Sequence, residues 1–110
     1  MKVVRLAEMC LIRAEGNFRQ NSSIGAPPLD DVNAVRGRAN APLLTAPLTI
    51  GDIPHERELE LAFEGFLIHD LKRTGRNVGN LPATASRLIL PIPQRERDVN
   101  PNLEQNEYYR

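Results

Sequence analysis

The sequence predicts an all-α fold, on three observations. Apolar residues recur at spacings of three and four in three separate stretches. Each stretch is bounded by proline, glycine, asparagine or aspartate, residues that start and stop helices. The one extended run, "RLILPIP", carries prolines that exclude it from a central strand.

The first helix is predicted from Val3 to about Phe18. Val3, Leu6, Ala7, Cys10, Leu11 and Ala14 form its apolar face, flanked by Arg5, Glu8, Arg13 and Glu15. Gly16 and Asn17 weaken its end, and "NSSIGAPP" reads as a loop. A second helix starts near Leu29 or Asp30, where Asp30 and Asp31 suit the positive end of the dipole. Leu29, Val32, Val35 and Ala39 make its inner face. Arg36 and Arg38 sit near its C-terminus, and Pro42 discourages continuation. "APLLTAPLTIGDIP" is a connector in which Leu43, Leu44, Leu48 and Ile50 are expected to be partly buried.

The third helix is expected to be the longest. Asp52 serves as N-cap, Pro54 lies in the first turn, and Gly75 stops the helix after Thr74. Roughly twenty residues give roughly 30 Å of helix. Leu59, Ala62, Phe63, Phe66 and Leu67 share its core face, extended by Leu71. Beyond it, the last third is irregular and proline-rich, with one helical turn through "QRERD" opened by Pro93.

Composition removes several function classes. The 110 residues carry 14 lysines plus arginines and 14 aspartates plus glutamates, a net charge of +0. A nucleic-acid binder would show a clustered basic excess, and a membrane-surface peptide a polybasic face. No apolar run approaches the ~18 residues of a bilayer span. Arg5, Glu8, Arg13 and Glu15 interrupt what would be a signal-peptide core. Cys10, in a helical pattern, reads as a small buried apolar residue. Two histidines and one cysteine, far apart, do not make a structural zinc site.

The candidate site is the charged stretch "IPHERELELAFEGFLIHDLKRTGR". Glu56, Glu60 and Glu64 fall at i, i+4 and i+8, a like-charge stripe that costs an isolated helix a few tenths of a kcal/mol per pair, about 0.2–0.5. Positive charge should come from outside the helix. Arg36 and Arg38 are the leading donors, with Arg5 and Arg13 behind them, because a guanidinium fork can hold a carboxylate by two hydrogen bonds. The expectation is an ion-pair network of Glu56, Glu60, Glu64, Arg36 and Arg38. Catalytic readings are weaker. Glu60 and Glu64 share one helix surface with no cleft, unlike paired glycosidase carboxylates. "HERELE" has leucine where H-E-x-x-H needs its second ligand. His69 reads as a flanking residue. No catalytic residue, metal site or cofactor is expected.

Five stretches in order carry a resemblance: "VVRLAEMCLIRAEG", "VNAVRGRANAP", "ERELELAFEGFLIHDLKRTG", "LPIPQRE" and "NPNLEQN". Together they resemble the C-terminal portion of SusD/RagB proteins, over nearly the whole chain from Val3 to about Tyr109. The resemblance implies a longer, mostly helical protein with tetratricopeptide-like helix pairs, of which residues 1–110 would be the C-terminal part. The first two helices would be one such pair, and Met1 would mark the start of a piece. It further implies an outer-membrane lipoprotein anchored by a lipidated cysteine absent from this chain. Such a protein sits on a SusC-like TonB-dependent transporter and captures oligosaccharides or other nutrients without catalysis, as in the polysaccharide-utilization systems of Bacteroidetes-type bacteria. The chain departs from the pattern where Phe66, Leu67 and Ile68 replace the usual arginine, where His69 replaces an aromatic residue, and where "QNEYY" replaces "QNPGY".

No ligand-contacting residue is carried over. Sugar rings are held by flat aromatic faces with polar rims. Phe63 and Phe66 are assigned to the core and Phe18 ends a helix, which leaves only Tyr108 and Tyr109. The sugar platform is therefore expected outside this chain. The competing readings are a helical-repeat adaptor for a protein partner and a small enzyme using the glutamates and histidines. The chain upstream of Val3 would separate nutrient capture from the adaptor. Apolar surface left open by missing repeats would favour self-association.

Overall fold

The computed structural model describes residues 4–110, and among them the regular structure is helical, with no strand beyond an isolated bridge between Val78 and Leu81. Two compact units divide the chain, Met1–Leu67 and Ile68–Arg110.

The first unit holds three helices: α1, Leu6–Gln20; α2, Pro28–Arg38; and α3, Asp52–Glu60. Val3, assigned to the first apolar face, lies outside the described residues. α1 runs through Gly16 and ends when Asn21 turns left-handed (φ 51°), a conformation asparagine tolerates. α2 opens with Pro27 and Pro28, whose fixed φ suits a first helical turn and whose missing N–H is not needed there. Leu11, Ala14, Val32, Val35 and Ile53 form the buried core, backed by Phe18, Leu44 and Leu48. Leu6, expected on that face, is 79% exposed, and Leu43 and Ile50 of the connector are exposed as well.

Loops are tied down by amide side chains. Asn17 is buried; its Nδ2 donates to the carbonyls of Ile24 (2.9 Å) and Ala26 (3.1 Å), and its Oδ1 accepts from Ser22 Oγ and Ile24 N–H. Asn33 does the same for the connector, donating to Leu44 O (3.0 Å) and accepting from Leu44 N–H (2.8 Å). Each amide pairs backbone groups that a loop would otherwise leave to water.

The long third helix is corrected by the structure. It ends at Glu60, and a separate helix, α4, covers Leu67–Arg73. The helical hydrogen bonds stop at Leu61 N–H, which donates to Arg57 O at 2.9 Å. The Glu60 carbonyl, which would accept from Glu64 N–H if the helix continued, accepts instead from Arg5 Nη2 at 2.9 Å. Glu64 N–H turns back to Leu61 O (3.1 Å), and Phe63 and Gly65 take positive φ of 63° and 82°. Gly65 allows this without steric cost. The assigned core face is corrected with it: Phe63 is 108% exposed, Leu59 is 56% exposed, and Ala62 and Leu67 are also exposed. α3 instead buries Ile53, Glu56 and Arg57, with Leu61 just beyond its end.

The second unit has little regular structure. It holds α5, Gln94–Val99, following Pro93, and single 3-10 turns at Ser86–Leu88 and Glu107–Tyr109. The first of these turns takes up Arg87 and Leu88 of the run read as extended. Gln105 clamps Ile92 in both directions, accepting from its N–H (2.8 Å) and donating to its O (3.0 Å). Asn106 Nδ2 donates to Leu90 O.

Candidate functional site

The charged side chains of the first unit meet where the ends of its helices converge. Arg36, in the last turn of α2, points its Nη1 at Glu56 Oε2, 2.7 Å away, and its Nε at Pro42 O. Both side chains are largely buried, 16% exposed for Arg36 and 7% for Glu56. Arg38 Nη2 donates to Glu60 Oε1. Arg5, which precedes α1, donates from Nη1 to the same Glu60 oxygen at 3.0 Å and from Nη2 to Glu64 Oε1 at 2.9 Å. The expected residues thus fall into two sets, Arg36 with Glu56, and Arg38 with Glu60, where Arg5 also bonds Glu60 and supplies the partner of Glu64. Glu64 stands in the turn after α3, not on a continuous helical stripe.

Arg13, also proposed as a donor to that stripe, lies elsewhere. Its Nε and Nη2 hold Asp31 Oδ2 and Oδ1 at 2.9 and 2.6 Å, a two-pronged bond between α1 and α2. The sequence reading assigned Asp31 only to the helix dipole. The usable signal was its place one turn before Val35, on the buried side of α2. Gly25 makes room for the pair: a Cβ there would stand 2.7 Å from Arg13 Nη1, and its φ of +82° disfavours any side chain.

Electrostatics follow the geometry. Hydrogen bonding to Glu64, then to Glu60, raises the Arg5 pKa above its ordinary value, and Asp31 does the same for Arg13. These guanidinium groups stay charged wherever the protein folds. Asp52 is held below the usual 3.8, chiefly by the Thr49 N–H that its Oδ2 accepts at 2.6 Å, with His55 and Arg36 adding to the effect. A depressed carboxylate pKa stabilises the fold fully above the unfolded value, and that contribution disappears as pH falls through the folded-state value. Asp52→Asn, which keeps an acceptor for Thr49 but removes the charge, should lower stability at neutral pH, match the parent in strong acid where the carboxyl is protonated in both states, and so flatten the acid limb. Urea unfolding across that pH range checks it.

Two other features could bear on function. An open groove of about 580 Å³ is lined by Leu6 and Cys10 of α1, Ala34 and Val35 of α2, and the side chains of Arg5 and Arg38. His55 and His69 are both exposed. Among the described residues, no group of three or more His, Cys, Asp or Glu side chains is placed to hold a metal ion, and no helix is long and apolar enough to cross a membrane.

Carboxylates bonded to arginines from other elements describe a helical protein whose charges join its helices. The class is a helical scaffold. The family model of the SusD family (SusD/RagB) matches residues 1–83, and the chain belongs to that family. The match takes in the first three resemblance stretches; "LPIPQRE" and "NPNLEQN" lie beyond it. SusD-family proteins are in general non-catalytic, nutrient- and glycan-binding components of Sus-like systems. They work with SusC-like transporters at the outer membrane. No curated protein matches the chain in sequence.

Proposed function

We propose that residues 1–110 are the C-terminal part of a nutrient-capturing lipoprotein that works on a SusC-like, TonB-dependent transporter at the outer membrane. In this reading α1 and α2 are one tetratricopeptide-like pair, and the nutrient, an oligosaccharide, is held by residues outside this chain. The observation that carries the reading is the SusD-family match over residues 1–83. The network of Glu56, Glu60, Glu64, Arg36 and Arg38 serves as structural wiring with no catalytic part. In support, Glu56 and Glu60 are each bonded to an arginine of another element. The tyrosine pair agrees with a sugar site elsewhere: Tyr108 and Tyr109 meet edge to face at 87° and present no continuous flat platform.

Calorimetric titration of oligosaccharides into the full-length protein, with the 110-residue chain in parallel, tests this. Binding by the full protein and none by the chain is expected. Micromolar sugar binding by the chain alone would refute the placement of the site, and glycan hydrolysis by the full protein would refute the non-catalytic reading.

A further inference from the structure

α3 stops about one turn short of the stop signal its own sequence supplies. A left-handed glycine is the commonest way to end a helix, and Gly65 stands at φ 82°, yet the helix ends at Glu60. The residues between them, 61–64, include no helix breaker. Phe63 lies among them at φ 63°, an outlier for a bulky residue. Its side chain is fully exposed, so it gains no packing in return for the strain.

A strained position persists only where the bonds around it over-determine the backbone. Here those bonds come from one side chain. Arg5 Nη2 donates to the Glu60 carbonyl at 2.9 Å, the oxygen that Glu64 N–H would use in a longer helix. The same guanidinium reaches the Glu60 carboxylate at 3.0 Å and the Glu64 carboxylate at 2.9 Å. Arg5 therefore grips the last residue of α3 and the far side of the turn at once. Arg38 bonds the Glu60 side chain, which a longer helix leaves in place.

We infer that Arg5 is a conformational latch. While it holds Glu60 and Glu64 the turn stays; when it lets go, α3 extends through Glu64 and ends at Gly65. The residue in front of α1 thus sets the length of a helix 55 positions further on, and whatever draws its guanidinium away lengthens α3. Glu60 and Glu64, left at i and i+4, oppose the extension, but a like-charge pair on a helix costs less than a left-handed phenylalanine. The latch goes beyond the nutrient-binding reading and does not rest on it.

Nuclear magnetic resonance of the 110-residue chain and its Arg5→Gln variant tests this. In the parent, Phe63 should show the strong contact between its own amide and α protons that marks a left-handed residue. In Arg5→Gln that contact should weaken and the Cα shifts of residues 61–64 should become helical. The Glu64 amide should exchange at least roughly tenfold more slowly as it takes over the Glu60 carbonyl. Unchanged methyl signals of the buried Leu11 and Val32 would show that the unit is still folded. Adding Phe63→Gly to Arg5→Gln removes the strain and disfavours the helix, so the turn should return. Phe63→Gly alone needs no change in the latch, and its urea midpoint should equal or exceed the parent's. A left-handed Phe63 in folded Arg5→Gln would show that the turn holds without the latch and overturn the inference. So would loss of order over residues 61–64 without helix, a longer helix that survives in the double variant, or a lower urea midpoint for Phe63→Gly.

Discussion

Leu11→Ala is expected to destabilise the Met1–Leu67 unit by about 3 kcal/mol, within the ~2–5 kcal/mol span of such truncations. Leu11 has no exposed surface and packs in the cluster of Ala14, Val32, Val35 and Ile53. Those neighbours come from three helices, so they cannot all collapse into the space left behind. Roughly 0.05–0.15 kcal/mol per residue gives a unit of this size only about 3–10 kcal/mol in total. The variant should therefore unfold at much lower denaturant, and at body temperature a large fraction should be unfolded. Ile12→Ala is the control: one residue on, with its side chain 48% exposed, it should change stability by no more than about 0.5 kcal/mol. Urea unfolding followed by far-ultraviolet circular dichroism measures both, and similar losses would show that the core does not lie where the packing puts it.

Glu56→Ala should cost about 2–4 kcal/mol, because it strands a guanidinium that folding has largely removed from water. Arg36 reaches Glu56 at 2.7 Å, with little of either side chain exposed. The loss is the desolvation of an unpaired cation more than the worth of the bond itself. Glu56→Gln keeps an oxygen acceptor in place and should lose about half as much. A double-mutant cycle on Glu56 and Arg36 should give coupling well above the ~0.5 kcal/mol of independent sites. Arg110 and Glu104, bonded at 2.9 Å with side chains 61% and 81% exposed, should couple by no more than about 1 kcal/mol. Equal coupling in the two pairs would remove the distinction between buried wiring and surface pairing.

Much of the first unit was legible because the signals are local. Pro27 and Pro28 before α2, Pro42 after it, and the spacing of Leu11, Ala14, Val32 and Val35 all act within a turn or two of chain. The candidate site was legible as composition. A stripe of glutamates needs cations, and the arginines that stand beside Glu56 and Glu60 were already named from the other two helices. Their pairing was not legible. Arg13 belongs to Asp31, and Arg5 is shared by Glu60 and Glu64, because partner choice depends on helix placement across 18 to 59 residues of chain. Asn17, Asn33 and Gln105 were missed for a related reason. Asparagine and glutamine are common in loops, and nothing in their spacing reveals that both amide ends will close on one backbone segment.

The sequence by itself determined that the chain would be helical, that two helices precede the connector, and which family it belongs to, since these depend on short-range backbone preferences and on ordered motifs. Only the tertiary structure decided where the third helix ends. The pattern of Leu59, Ala62, Phe63 and Phe66 favours continuing it, and no residue there breaks a helix before Gly65. Arg5, 55 positions away in the chain, takes the Glu60 carbonyl for itself. With the Glu60 and Glu64 carboxylates also bonded to Arg5, these long-range bonds hold the turn that leaves Phe63 in water, and local spacing cannot reveal them.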